Sequence, residues 1–165
     1  MLVYLMRHGI ASPRGELGID DAARALTPEG ADKVRRICSA LRRLKVEFDE
    51  IWTSSLIRAK QTAEIVASVW GLGQEVRIVP ALEPGGDLRA LIDMLRCESA
   101  ARGVLLTGHE PDMGELAGML ISGRSDATIR FKKGGVGCIE LNETPKGGTG
   151  ELLWLLTPKQ LCKIA

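Results

Sequence analysis

The chain has 165 residues, 45% hydrophobic and 26% charged, the balance of an ordinary globular protein with enough length for one real core. Twenty-two basic residues against 21 acidic ones leave a formal charge of +1, without the basic excess that nucleic-acid binding calls for. No apolar run approaches the roughly 18 residues of a membrane span, and Met1–Met6 lacks the basic flank and the length of a signal peptide. Cys38, Cys97, Cys138 and Cys162 stand far apart with no CxxC pair, and read as reduced core thiols. The chain is therefore expected in the cytoplasm, with neither membrane nor nucleic acid as partner.

Leu2–Met6 is a nearly continuous apolar run, which predicts a strand buried on both faces. A polar, glycine-bearing loop follows from Ile10 to Leu26. Thr27-Pro28-Glu29 opens a helix, with Thr as N-cap, Pro at the first helical position and Glu in the positive first turn. Ala31, Val34, Ile37/Cys38, Leu41 and Leu44 form its apolar stripe. The basic cluster Lys33, Arg35, Arg36, Arg42, Arg43 and Lys45 reads as its solvated face. Glu50–Thr53 predicts a second strand. Ser54-Ser55 is placed to cap a helix running to about Trp70, which Gly71-Leu72-Gly73 stops. Val76–Val79 predicts a third strand, and Asp87 caps a helix carrying Leu88, Leu91, Ile92 and Leu95. Val104–Thr107 predicts a strand, and Pro111 begins a helix through Leu116 and Leu120. Gly137–Leu141 and Leu152–Leu156 flank the turn-rich Thr144–Gly150 and predict an antiparallel hairpin with a loop of about five to seven residues. Gly134-Gly135 offers a flexible approach to that hairpin and has no other role legible in the sequence. Strands alternating with helices predict a single α/β domain over 1–165, with a mostly parallel sheet covered on both faces and an antiparallel strand pair late in the chain.

In such sheets ligands bind beyond the carboxyl ends of the strands. The chain's two histidines both fall there, His8 in Arg7-His8-Gly9 and His109 in Gly108-His109-Glu110. A neutral imidazole is a competent nucleophile near pH 7 and can take a phosphoryl group as N-phosphohistidine. The transferring group spreads negative charge over three oxygens, so catalysis is mainly positioning and positive potential. Arg7 offers a planar fork of donors, Gly9 gives room for backbone approach or an unusual dihedral, and a protonated His109 is placed to bind from the far side. Arg58, in the first turn of the Ser55-capped helix, is disfavoured there by roughly 0.3–1 kcal/mol unless an anion binds the same helix end.

Leu5-Met6-Arg7-His8-Gly9, Thr53-Ser54-Ser55-Leu56-Ile57-Arg58-Ala59-Lys60-Gln61-Thr62-Ala63 and Thr107-Gly108-His109 resemble, in order, the signature segments of the histidine phosphatase superfamily. The resemblance runs from Met1 to about Ser122. Leu26-Thr27-Pro28-Glu29-Gly30, Ala81-Leu82-Glu83-Pro84-Gly85-Gly86-Asp87 and the short chain look most like its SixA-type phosphohistidine phosphatases. The resemblance implies the phosphoglycerate mutase-like three-layer α/β/α fold, no metal and no cofactor. It also implies His8 as nucleophile, with Arg7, Arg58 and His109 holding the phosphoryl group. Larger members carry an acidic residue in an inserted segment to protonate a leaving alcohol, and this chain has little room for that insertion. Glu83 is the nearest candidate general acid and Asp87 the second, against ordinary readings as a loop charge and a helix cap.

A weak or absent acid suits a phosphohistidine, whose imidazole leaves more readily than an alkoxide. The expected activity is dephosphorylation of histidine-phosphorylated signalling or phosphocarrier proteins through phospho-His8, in a shallow, wide pocket. A small-molecule phosphomonoesterase is the alternative, and a catalytically silent phosphate-binding domain a third. A mutase needs an enclosing lid, for which Ala11–Leu26 is the sole candidate.

Overall fold

The first apolar run forms β1 (Leu2–Arg7), and its alternate side chains divide between two cores, as a strand period of two requires. Val3 and Leu5 enter one cluster, Tyr4 and Met6 the other. A computed structural model describes residues 1–15, 18, 20–72, 76–126, 129–141 and 146–165. Among these, β1 is joined by β2 (Glu50–Thr53), β3 (Val76–Ile78), β4 (Gly103–Gly108), β5 (Val136–Leu141) and β6 (Gly150–Leu156) in one sheet of order β3-β2-β4-β1-β5-β6. β1 to β4 are mutually parallel, and β5 runs antiparallel to both β1 and β6. The mixed sheet and its antiparallel C-terminal pair agree with the sequence reading.

Helices cover both faces. α1 (Pro28–Arg43), α2 (Ile57–Trp70) and α5 (Pro158–Ile164) pack with Tyr4, Met6, Ile51 and Leu105. α3 (Leu88–Glu98) and α4 (Asp112–Ser122) pack with Val3, Leu5, Val104 and Leu106 on the other side. The result is the expected three-layer α/β/α arrangement. β1 leaves through α1 on one face and β4 is entered through α3 on the other, so these neighbouring parallel strands form a topological switch point whose carboxyl ends open into a crevice.

Several expectations change in detail. Thr27 caps α1 by accepting the Gly30 N–H, as predicted, but Leu44 at its end is 43% exposed rather than part of the stripe. Neither serine caps α2: the Ser54 hydroxyl turns back to the Leu56 N–H, Ser55 faces away to Glu83, and Leu56 stands at the cap. Arg58 nevertheless lies in the first turn. Cys38 and Cys138 are core thiols, whereas Cys97 is exposed on α3. Of the expected hairpin turn Thr144–Gly150, Thr144-Pro145 lies outside the described residues, as does Gly73. α5 was not anticipated, although Thr157 and Gln160 form a capping box that spells its start.

Candidate active site

His8 and His109 emerge from the carboxyl ends of β1 and β4, where Arg7 is in register with Gly108. Their ring centroids are 5.1 Å apart. The loop after β1 is fixed from three directions. His8 N–H donates to the Gly108 carbonyl at 3.0 Å, tying it to β4. Gly9 N–H donates to Thr62 Oγ1 at 3.1 Å, and that hydroxyl donates to the Arg58 carbonyl at 2.7 Å, tying the loop to α2. Gly134 N–H reaches the carbonyls of both Arg7 and His8 at 3.0 Å, and the Gly135 carbonyl accepts Arg7 N–H. Gly134-Gly135 is thus a clamp on the histidine loop. Gly134 has φ +80°, and a Cβ there would meet Ile37 Cδ1 at 2.9 Å. At Gly9 the requirement is room alone, since a Cβ would lie 2.8 Å from Val34 Cγ2.

His8 Nδ1 lies 2.7 Å from the Gly9 carbonyl oxygen. A carbonyl only accepts, so Nδ1 carries the proton and Nε2 bears the lone pair. Burial, opposed by the Gly9 hydrogen bond and reinforced by His109, Arg58 and Arg7, pushes the His8 pKa down to about 3. Burial and then Arg58 push His109 down to about 4. His109 is therefore neutral near pH 7 among the protein's own charges, not protonated as expected, because burial disfavours the imidazolium and neighbouring arginines add to it. Its Nε2 meets Ser54 Oγ at 2.9 Å, which leaves Nδ1 as the second ring nitrogen.

Arg7, His8, Arg58 and His109 line one cavity of about 420 Å³, together with Arg14, Arg24, Pro84, Glu110 and Lys133. Arg58 is 2% exposed, so it is a buried cation and not a snorkelling one. Its Nη1 and Nη2 donate to the Asp21 carbonyl and carboxylate at 2.6 and 3.0 Å. Arg24 donates to the other Asp21 oxygen at 3.0 Å. Burial disfavours the Asp21 carboxylate, but Arg58 and Arg24 outweigh it and hold its pKa below the ordinary range. Arg7 Nε, Arg58 Nε and His109 Nδ1 are buried nitrogens without a partner among the described residues. Unmet buried polar groups each cost about 1–3 kcal/mol, and the three residues that carry these nitrogens line one cavity rich in cationic side chains, which suits an anion with several acceptor oxygens.

Glu83 does not line the cavity: its carboxylate accepts the Ser55 hydroxyl at 2.7 Å, while its neighbour Pro84 forms part of the wall. Asp87 caps α3 through the Arg89 and Ala90 N–H groups. Asp21, Arg24 and Lys133 were not legible in the sequence: Asp21 opens a single 3-10 turn (Asp21–Ala23) that Arg24 ends, Lys133 precedes β5, and all reach the site by tertiary contact.

A sequence model of the histidine phosphatase superfamily (branch 1) matches residues 3–84. The phosphohistidine phosphatase SixA of Escherichia coli K12 is 31% identical over 164 residues, 98% of this chain and 96% of that protein. The chain belongs to the histidine phosphatase superfamily. It resembles the SixA branch over its whole length: a solved structure of the protein histidine phosphatase SixA with tungstate superimposes with a TM-score of 0.86 at 29% identity, covering 98% of this chain and 99% of that one. An uncharacterized protein of Picosynechococcus sp. is 38% identical over 138 residues, 82% of each chain. As a histidine phosphatase-superfamily member the chain is a phosphatase, and its RHG segment, Arg58 and His109 converge on the one cavity just described. No helix among the described residues is long and apolar enough to cross a membrane.

Proposed function

We propose that this phosphatase removes phosphoryl groups from histidine-phosphorylated proteins, with His8 as nucleophile and Arg7, Arg58 and His109 as the phosphoryl-binding residues. The observation that carries the choice of substrate is the commitment of the nearby carboxylates. Glu110 lines the cavity with its pKa raised by burial, but its Oε1 is tied to the Phe131 N–H at 2.6 Å, and Glu83 stands outside the lining, held by Ser55. An alkoxide leaving group needs a poised acid. A phosphorylated imidazole brings its own second nitrogen, which takes a proton from water and leaves as neutral imidazole.

In the first step the His8 Nε2 lone pair attacks phosphorus in line and the P–N bond of the substrate breaks. The proton stays on His8 Nδ1, donated in a hydrogen bond to the Gly9 carbonyl, so phospho-His8 is an N-phosphoimidazolium. In the second step water attacks phosphorus, the P–Nε2 bond breaks, and His8 recovers its lone pair as a neutral leaving group. Arg7, Arg58 and the His109 Nδ1–H supply donors to oxygens that gain charge in both steps. The whole-length likeness to SixA supports this substrate class, and tungstate, bound by that relative, is a tetrahedral oxyanion like phosphate.

His8→Ala should abolish acid-labile labelling of the protein by a phosphodonor and lower turnover of a phosphohistidine protein by roughly 10⁴-fold or more, as removal of a covalent nucleophile does. Near-normal turnover by that variant would sink the mechanism. Faster turnover of small phosphate monoesters than of phosphohistidine protein, lost in Glu83→Gln, would instead assign a small-molecule phosphomonoesterase.

A further inference from the structure

Beside the catalytic cavity lies a second groove, of about 560 Å³, walled by Lys33 of α1, Lys132 and Lys133 ahead of β5, and Lys159 of α5. Arg7 and Lys133 line both spaces, so the two adjoin. Ile10 and Pro158 contribute an apolar part of the lining, and no Asp or Glu among the described residues lines the groove. We propose that this groove docks an acidic face of the phosphohistidine-bearing protein, holding its phosphorylated side chain in line with His8. The inference rests on the proposed substrate class and adds how the partner is recognised.

The charge pattern is local. The whole chain carries a formal charge of +1, and several cations elsewhere on the surface have acidic partners, among them Arg35 with Asp32, Arg96 with Asp93, Arg124 with Asp126 and Lys60 with Glu64. Lys33, Lys132, Lys133 and Lys159 form no ion pair among the described residues, and Asp32, next to Lys33, is committed to Arg35 at 2.5 Å. Arg7 and Lys133 stand together at the junction of the two spaces, and burial, followed by Arg7, Arg24 and Arg58, lowers the Lys133 pKa. Like charges gathered without counterions repel one another, and an acidic surface relieves that repulsion while steering the encounter. A single phosphoryl group satisfies only the inner end, at Arg7. The outer lysines need carboxylates that flank the phosphohistidine on the partner, with an apolar side chain between them to meet Ile10 and Pro158.

The test compares two phosphohistidine peptides of equal length, one with Glu and one with Lys flanking the modified residue, and N-phosphoimidazole as a substrate without flanks. The wild-type protein should favour the Glu-flanked peptide in kcat/KM by about tenfold at low salt, with the preference shrinking as salt shortens the screening length. K33E/K132E/K159E, which leaves the catalytic cavity intact, should lose or reverse that preference through KM while hydrolysing N-phosphoimidazole at the wild-type rate, a result that also shows the variant folded. Equal rates on both peptides in the wild type, or an undiminished preference in the variant, would overturn the docking proposal. So would equal rates accompanied by lysine-dependent binding to phosphatidylserine vesicles, which would assign the groove to a membrane surface. Failure of the wild type to hydrolyse any phosphohistidine compound faster than phosphate monoesters would be a different failure, that of the substrate class.

Discussion

Lowering the pH should leave both active-site histidines neutral long after an ordinary imidazole has charged. His8 is pushed from 6.5 to about 3 and His109 to about 4, each by burial first and by neighbouring cations next. At about 1.36 kcal/mol per pH unit, the His8 value corresponds to roughly 5 kcal/mol of preference for its neutral form. At pH 5 a free imidazole is about 97% protonated, whereas His8 would be protonated in only about 1% of molecules. The same numbers fix a stability trend. Both folded-state pKa values lie below the unfolded one, so the unfolded chain binds protons that the folded chain refuses. Their contribution is complete above pH 6.5 and is lost as pH falls toward 4 and 3. At pH 5 each histidine should have withdrawn about 2 kcal/mol, or about 4 kcal/mol together. The chain has two histidines, so ring-proton NMR resolves them, with His8→Gln assigning one signal. Neither ring should titrate between pH 8 and 5, and urea unfolding at pH 5 and 8 should show the loss, reduced by about half in His8→Gln. A His8 titration near 6.5 would refute the burial argument and place the acid limb of activity where an exposed histidine puts it.

Thr62→Val keeps shape but leaves Gly9 N–H without its acceptor; it should cost about 1–3 kcal/mol in urea unfolding and lower kcat, because the His8 loop loses its tie to α2. Gly134→Ala forces a side chain into φ +80° against Ile37, and should destabilise by about 1–3 kcal/mol with a parallel fall in phosphoenzyme formation. Ser54→Ala removes the partner of His109 Nε2; it should weaken inorganic phosphate binding severalfold, read by calorimetry, with little change in the His8 tautomer seen by nitrogen NMR.

Much of the fold was legible because its signals are local. The apolar run of β1, the Thr27-Pro28-Glu29 start of α1, the Asp87 cap and the Gly71 stop each depend on neighbouring residues, and each forms as the sequence spells it. The α2 cap was misread because the Ser54 and Ser55 hydroxyls had competing partners, one of them Glu83 on a distant loop. Glu83 was singled out for its place in the sequence, yet its carboxylate is engaged by a side chain 28 positions away.

His8, Arg7, Arg58 and His109 were named from the sequence because strand ends and family motifs are local patterns. What chain order alone could not supply was their state. The tautomer of His8 comes from a carbonyl one residue on, but its low pKa comes from burial first and then from His109, Arg58 and Arg7, which separate elements bring together. Asp21 holding Arg58, Gly134 gripping the histidine loop from more than a hundred positions away, and the lysines that share a groove with Arg7 are all long-range pairings. Short patterns encode which groups are present and which elements bear them. Electrostatics and close packing act through space, so the protonation state of those groups, and what they can hold, is decided only when the sheet brings its strand ends together.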